Sequence, residues 1–333
     1  MMAAFRVVRP ANLEEAVSLL AIHGPEAMAI AGGTDVVPNL QMRLFSPRVL
    51  VDLKSLRNLC GIEYSPGEGL RIGALVTLSQ LLDSRLVREE FSVLAQAVGT
   101  IAGPLQRNMG TLGGNLCLET RCRWYNQSHL WRKSLGGCLK KDGDVCHVAP
   151  AGKFCWAAWS GDSAPALLTL DAEIEVAGPS GARRIPLATF YRKDGKDRIS
   201  LAPGEILASV HVPARMAGCP GVYHKLRVRD SIDYPLAGVA ACLDVDPGGI
   251  CRDARIAVTG VNPAPLLVRR AGEMLRGKRP SPEIIDAVAH AAIQTAKPLT
   301  TSASTPVYRR EMVRLFTRRA LEEAWVGRSR PLQ

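Results

Sequence analysis

Long apolar runs are missing from this chain: no stretch approaches the roughly 18 residues that a membrane span requires, and residues 1–20 lack the basic start and apolar block of a secretory signal. A cytoplasmic protein is therefore expected. Compact basic runs are missing too. Lys and Arg outnumber Asp and Glu by 42 to 31, giving a formal net charge of +11, yet no five basic residues stand together. The excess is spread over residues 119–156, Arg227 with Arg229, and the arginines from Arg309 to Arg330. This distribution speaks against nucleic acid and membrane surfaces, and suits either a generally solvated basic surface or encounters with acidic protein partners. The G-x-G-x-x-G fingerprint, the P-loop pattern, a Ser-His-Asp arrangement and an H-E-x-x-H zinc site are all absent. The paired carboxylates Glu14-Glu15 and Glu322-Glu323 fall in helical patterns where solvated faces account for them. Internal repeats and low-complexity tracts are lacking as well.

What is present is a 333-residue chain, 47% hydrophobic and 22% charged, long enough for two or three globular domains. Helices and strands alternate in an α+β pattern. An amphipathic helix is expected at Leu13 to Leu20, strands at Ala27 to Ile30 and Val49 to Leu53, and a helix running to about Leu44 between them. A second region begins near Ile62, with a strand at Leu70 to Ile72 and helices from about Leu78 to Leu86 and Phe91 to Val98. Residues from Ala164 to Val176 read as apolar and strand-like, and Pro213 to Pro220 as a linker. The third region has strands at Val239 to Val245 and Ala254 to Val258, and helices at about Pro282 to Ala296 and Tyr308 to Trp325.

Two glycine turns stand out. Ala31-Gly32-Gly33-Thr34-Asp35 lies between a strand and a helix start, where free amides and the positive helix end collect an anion. Either Thr34 or Asp35 is expected to cap that helix. Thr111-Leu-Gly-Gly-Asn115 repeats the chemistry: its glycines are expected to expose amides, and Asn115 to add a donor or acceptor.

Nine cysteines in a reducing compartment point to metal or catalysis where they cluster and to packing where they are scattered. Cys122, Cys138, Cys146 and Cys155 cluster in the stretch from Glu119 to Trp156, which has no sustained apolar period and so little means of burying a core by itself. Their spacings of 15, 7 and 8 residues match none of the compact ferredoxin or zinc-finger patterns. Four thiolates in such a loop nevertheless suit a tetrahedral metal centre, whose binding supplies the missing folding energy. Zinc held by these sulfurs, or by three of them with His129 or His147, and an iron–sulfur cluster both remain open on this reading. Trp124, Trp131, Trp156 and Trp159 are placed to wrap the site, and Arg121, Arg123, Arg132, Lys133, Lys140, Lys141 and Lys153 to offset its charge. Cys117 reads as part of the second glycine loop. Cys60, Cys219, Cys242 and Cys251 read as isolated, buried small hydrophobes.

Taken in order, AGGTD near position 33, TLGGN near 113, the Asp162-led apolar segment and the Lys225-Leu-Arg-Val-Arg stretch resemble the FAD-binding medium subunit of the xanthine oxidase family of molybdenum hydroxylases. The resemblance covers nearly the whole chain. It implies an α+β fold with a two-part FAD domain (1–58 and 59–216) and a C-terminal α+β domain (217–333). It also implies that both glycine turns hold FAD, through Ala29, Ile30, Ala31, Gly32, Gly33, Thr34, Asp35, Thr111, Gly113, Gly114 and Asn115. Asp162 corresponds to an acidic residue contacting the cofactor, and Lys225 to a basic residue near the flavin ring. Most members link the second turn to the Asp-led segment by a short connection, but here 46 residues separate Asn115 from Asp162. That insertion, at about 118–158, resembles one branch, the β subunits of 4-hydroxybenzoyl-CoA reductases, through Thr120-Arg-Cys122, Tyr125-Asn-Gln-Ser128, Cys138-Leu-Lys140, Cys146-His-Val148 and Arg227-Val-Arg-Asp230.

In that branch the insertion carries a 4Fe-4S cluster, so Cys122, Cys138, Cys146 and Cys155 become its ligands by resemblance. The function implied is an oxidoreductase subunit passing electrons from reduced ferredoxin through the cluster and FAD to a 2Fe-2S small subunit and a molybdenum large subunit. The assembly implied is a dimer of heterotrimers that reductively dehydroxylates 4-hydroxybenzoyl-CoA to benzoyl-CoA in anaerobic aromatic breakdown. No catalytic residue is expected in this chain. Two rival readings remain: an FAD subunit of an aerobic hydroxylase that passes electrons to NAD or oxygen, with a zinc-stapled insertion, and a non-redox assembly adapter.

Overall fold

The computed structural model describes residues 2–327, so Arg328 and Arg330 of the basic tail lie outside the described residues. Three sheets order the chain. The first is parallel, with β3 (Val49–Asp52) between β1 (Arg6–Val8) and β2 (Ala27–Ile30). The central strand is buried along its whole length and is apolar up to its last residue, Asp52. The helix Leu13–His23 starts where Asn12 accepts from the Glu15 amide at 2.8 Å, and buries Ala16, Val17 and Leu20 against this sheet.

The second sheet is antiparallel, in the order β4 (Ile62–Ser65), β5 (Gly69–Gly73), β8 (Ile206–Val212), β6 (Glu173–Gly178), β7 (Gly181–Pro186). Short helices cover it and share one core with Leu70, Ile72, Leu94, Leu112, Leu167 and Val210. The third sheet is also antiparallel, β12 (Leu266–Leu267), β11 (Cys251–Thr259), β10 (Ala237–Val245), β9 (Gly221–Leu226), packed under the helices Pro282–Thr295 and Pro306–Gly327. Among the described residues, no helix is long and apolar enough to cross a membrane.

Several elements differ from expectation, each for a local reason. Residues 78–90 form two helices, Leu78–Asp83 and Arg85–Glu90, because extended Ser84 ends one and caps the other through the Val87 amide. Ser163–Thr169 is a helix and only from Glu173 does the chain become a strand. Every residue of that helix is buried, so it shows no polar face, and Pro165 sits in its first turn, where proline is tolerated. Cys219 and Cys242 are not isolated: their sulfur atoms face each other across the start of β9. Trp159 lies wholly in the main core, its ring 4.6 Å from that of Tyr191, and not around the clustered cysteines.

Candidate cofactor sites

Both glycine turns open on one cavity of about 590 Å³, a size typical of ligand sites. The first turn follows β2. Its Gly32 lies against the backbone of Met109, where an added Cβ would stand 1.7 Å from the carbonyl oxygen, so only glycine permits the approach. Gly33 has φ +73, the left-handed conformation that glycine adopts without strain. The Gly33 carbonyl accepts from Val37 at 2.9 Å and so begins the helix Val36–Gln41. Among the described residues, the amides of Gly33 and Thr34 have no acceptor, which leaves them for a ligand in the cavity. Capping by Asp35 does not occur: its carboxylate turns outward to accept from the Glu119 amide at 3.1 Å and to pair with Arg121.

The second turn is not a free loop but the start of a short helix, Leu112–Leu116. Its glycines do not expose amides. Gly113 donates to the Ala74 carbonyl at 2.9 Å and Gly114 to the Thr111 hydroxyl at 3.1 Å. Gly113 is needed for space, since a Cβ there would lie 2.7 Å from that of Ala74. Asn115 accepts from the Ser163 hydroxyl at 2.5 Å, joining the second turn to the helix behind Asp162.

Of the residues assigned to FAD by resemblance, Ala29, Ala31, Gly32, Gly33, Thr34, Asp35, Thr111, Gly113, Gly114, Asn115 and Asp162 line the cavity, whereas Ile30 and Lys225 do not. Asp162 is buried and accepts from the Tyr223 hydroxyl at 2.6 Å and from Lys225 Nζ at 3.0 Å. Burial pushes its carboxyl up, opposed by these two partners. Lys225 also donates to the Thr100 carbonyl at 2.9 Å, so it stands behind Asp162 and fixes it. Glu119, Arg198 and the loop Ile232 to Tyr234 line the cavity without having been singled out in the sequence. Ile232 is β-branched with φ +55, a strained backbone at the cavity wall, and its amide donates to Ala102 at 3.2 Å.

The cysteine insertion leaves and rejoins the core at one point, where Arg121 and Ala158 exchange backbone hydrogen bonds of 2.8 and 2.7 Å. Beyond that pair, Cys122, Cys138, Cys146 and Cys155 are all buried and line one small cavity with Trp124, Tyr125, Lys140, His147 and Ala157. Three of these sulfurs belong to one apolar cluster with Leu44, Tyr125 and Ala157. Burial pushes the Cys122 thiol up and the Cys155 thiol up to about 12, and neighbouring thiols add to each shift. A raised thiol stays protonated in the absence of a cation, and a metal bound at such a site would favour the thiolate.

Among the described residues, however, no three His, Cys, Asp or Glu side chains group closely enough to hold a single metal ion. His147 lines the cavity but directs Nε2 to the Gly137 carbonyl at 2.7 Å, and His129 is exposed on the helix His129–Ser134. Two of the basic residues expected to offset the charge are engaged elsewhere. Arg121 pairs with Asp35 and stacks over Tyr234 at 4.3 Å, and Arg132 donates to the Met42 and Arg43 carbonyls at 3.1 and 3.0 Å. Lys140 alone among them lines the cavity.

Comparison with known proteins gives two family matches. Residues 3–215 match the FAD binding domain in molybdopterin dehydrogenase, and residues 222–324 the CO dehydrogenase flavoprotein C-terminal domain. The chain is 31% identical over 317 residues to the carbon monoxide dehydrogenase medium chain of Afipia carboxidovorans, covering 95% of each. It is 28% identical over 326 residues to a xanthine dehydrogenase FAD-binding subunit of Escherichia coli O157:H7, covering 98% of this chain and 97% of the relative. With an aldehyde oxidoreductase FAD-binding subunit of E. coli K12 it shares 34% over 273 residues, 79% of this chain and 84% of that one. A crystal structure of Cu,Mo-CO dehydrogenase superposes with a TM-score of 0.80 at 28% identity, over 98% of this chain and 99% of that chain.

Proposed function

We propose, from the premise that this chain belongs to the FAD-binding medium subunits of the xanthine oxidase family of molybdenum hydroxylases, that it is the electron-entry subunit of a 4-hydroxybenzoyl-CoA reductase. FAD fits the large cavity through the free amides of Gly33 and Thr34, the close approach that Gly32 permits and the walls formed by Asn115 and Asp162. A 4Fe-4S cluster is assigned to the small one for its four cysteines; at about 20 Å³ that cavity must widen to admit it. Bound there, the two cofactors would supply two-electron and one-electron redox chemistry, while the protein positions them and tunes their potentials.

The observation that carries this reading is the burial of all four insertion cysteines around one cavity, separated from the flavin cavity by a single wall. A single zinc ion draws its sulfurs within about 2.3 Å of one point. A cluster takes one thiolate at each of four iron atoms, so its sulfurs stand around a cavity and need not converge. The family match and the place of these thiols beside the flavin cavity favour the cluster over the zinc staple, because zinc has no redox role. The partners that follow are a ferredoxin donor at the insertion, a 2Fe-2S small subunit and a molybdenum large subunit, in a dimer of heterotrimers.

Metal and sulfide analysis of the purified protein tests the cofactor assignment. About four irons with acid-labile sulfide and one FAD per chain are expected. Zinc without sulfide would sink the cluster and leave the aerobic reading standing. The substrate assignment is tested by assaying the assembled complex with 4-hydroxybenzoyl-CoA and a low-potential reductant; no benzoyl-CoA from a fully loaded complex rejects it.

A further inference from the structure

We propose that the Lys140 ammonium, paired with Glu119, is a shared charge that sets the reduction potentials of both cavities, a proposal that rests on reading them as FAD and cluster sites. Glu119 lines the large cavity, Lys140 lines the small one, and the two form an ion pair in the wall between. Their side chains are 4% and 5% exposed, so the pair is out of solvent. Arg198, which also lines the large cavity, stands 3.7 Å from the other Glu119 oxygen. Lys140 Nζ further donates to the Gly195 carbonyl at 2.7 Å and to the Thr120 hydroxyl, and lies 4.5 Å from the centre of the Tyr125 ring, itself part of the small cavity's wall.

Burial raises the Glu119 carboxyl. Lys140 and Arg198 outweigh burial at Glu119 and hold its carboxyl below the ordinary range. Arg198, Glu119 and Lys140 together place a net charge of +1 in this wall, the Glu119–Lys140 pair out of solvent and Arg198 24% exposed. Such a charge favours electrons arriving on either side of it. Neutralising Lys140 leaves the wall with no net charge, and neutralising Glu119 leaves it doubly positive, so the two changes act in opposite directions. A unit charge about 10 Å from a redox centre, at an effective dielectric of about 20, alters a one-electron equilibrium roughly tenfold. That is 59 mV for a one-electron couple and about half as much for a two-electron one.

The test is a spectroelectrochemical titration of the assembled complex, reading the flavin and iron absorptions separately in the wild type, K140Q, K140R and E119Q. K140Q is expected to lower both midpoint potentials by about tenfold in equilibrium constant, E119Q to raise them, and K140R, which keeps the charge, to stay near the wild type. A role in packing alone would not reverse sign between K140Q and E119Q. A flavin potential unmoved in K140Q, or shifts of the same sign in both variants, overturns the proposal. If K140Q does not accumulate, E119Q decides it, an unchanged or lowered flavin potential being the overturning result. If the wild type holds no iron, the cluster reading fails by itself, and the flavin arm still decides the role of Lys140.

Discussion

Gly32→Ala is the sharpest perturbation of the flavin site. The added Cβ would lie 1.7 Å from the Met109 carbonyl oxygen, 2.4 Å from its carbonyl carbon and 3.0 Å from the Gly110 nitrogen. Ordinary contact needs about 3.5 Å, so the backbones must part by roughly 1.5 to 2 Å, and no rotamer relieves the clash because every atom involved is main chain. The Gly110 side is fixed: its amide donates to Gln106 at 2.6 Å and its carbonyl accepts from Leu78 at 2.9 Å. The first turn therefore moves, and with it the free amides of Gly33 and Thr34. Hydrogen bonds from amides to a charged phosphate are worth about 1.5 to 3 kcal/mol each, so losing two weakens FAD binding by roughly 3 to 6 kcal/mol. That is a hundredfold or more in Kd. Overpacking costs the fold only about 1 to 3 kcal/mol, so the protein should still accumulate. Flavin released per chain and fluorescence titration of the apoprotein with FAD read the effect, with iron content as the control. Wild-type FAD affinity in a folded G32A protein would refute the role of this turn.

Other consequences are smaller in scope. Cys138→Ser should abolish iron and sulfide while FAD stays bound, because residues 119–121 are held by Asp35 and Ala158 without any metal; loss of both cofactors would show that the insertion builds the flavin site. Lys225→Met leaves the Asp162 carboxylate buried without its cation and should destabilise the protein by about 3 to 5 kcal/mol, seen as a lower Tm; an unchanged Tm contradicts the buried pair. Burial pushes the Cys117 thiol up to about 11, above the ordinary value near 8.5. A raised pKa means that its contribution to apoprotein stability is full below about 8.5 and is lost as pH rises through 11. Apoprotein melting between pH 8 and 11 should therefore be steeper in the wild type than in C117S, and parallel curves would rule this out.

Strong local signals were legible in the sequence. β2 and the helix Pro282–Thr295 fall within a residue of expectation, because an apolar strand bounded by turn residues and a capped amphipathic helix each carry their own pattern. The grouping of the four cysteines was legible for the opposite reason, since a segment without apolar period had to be organised by something else. What escaped depends on tertiary contact. Ser163–Thr169 is apolar on every side, so its burial erased the periodicity that would have marked a helix. The amides of Gly113 and Gly114 looked free because Ala74, which takes one of them, lies 39 residues earlier in the chain. Glu119 and Arg198 stand 79 residues apart and mean nothing singly; only the fold makes them one wall. Cys219 and Cys242 were likewise read apart because their meeting follows from the pairing of β9 with β10.

The paired backbones of Arg121 and Ala158 have a bearing on how such a protein can change over generations. Chain departs and returns there at adjoining positions, so the length in between is free to vary while both glycine turns stay where they are. Closing a longer loop adds only about 0.6 kcal/mol for each doubling of its length, so the obstacle to acquiring a lobe at this point is not entropy. The obstacle is giving the lobe an interior, and here three sulfurs, Tyr125 and Ala157 form one together with Leu44 from outside the insertion. A flavoprotein with a tight turn at this place is therefore one insertion away from gaining a cysteine-lined lobe beside its flavin, and one deletion away from losing it.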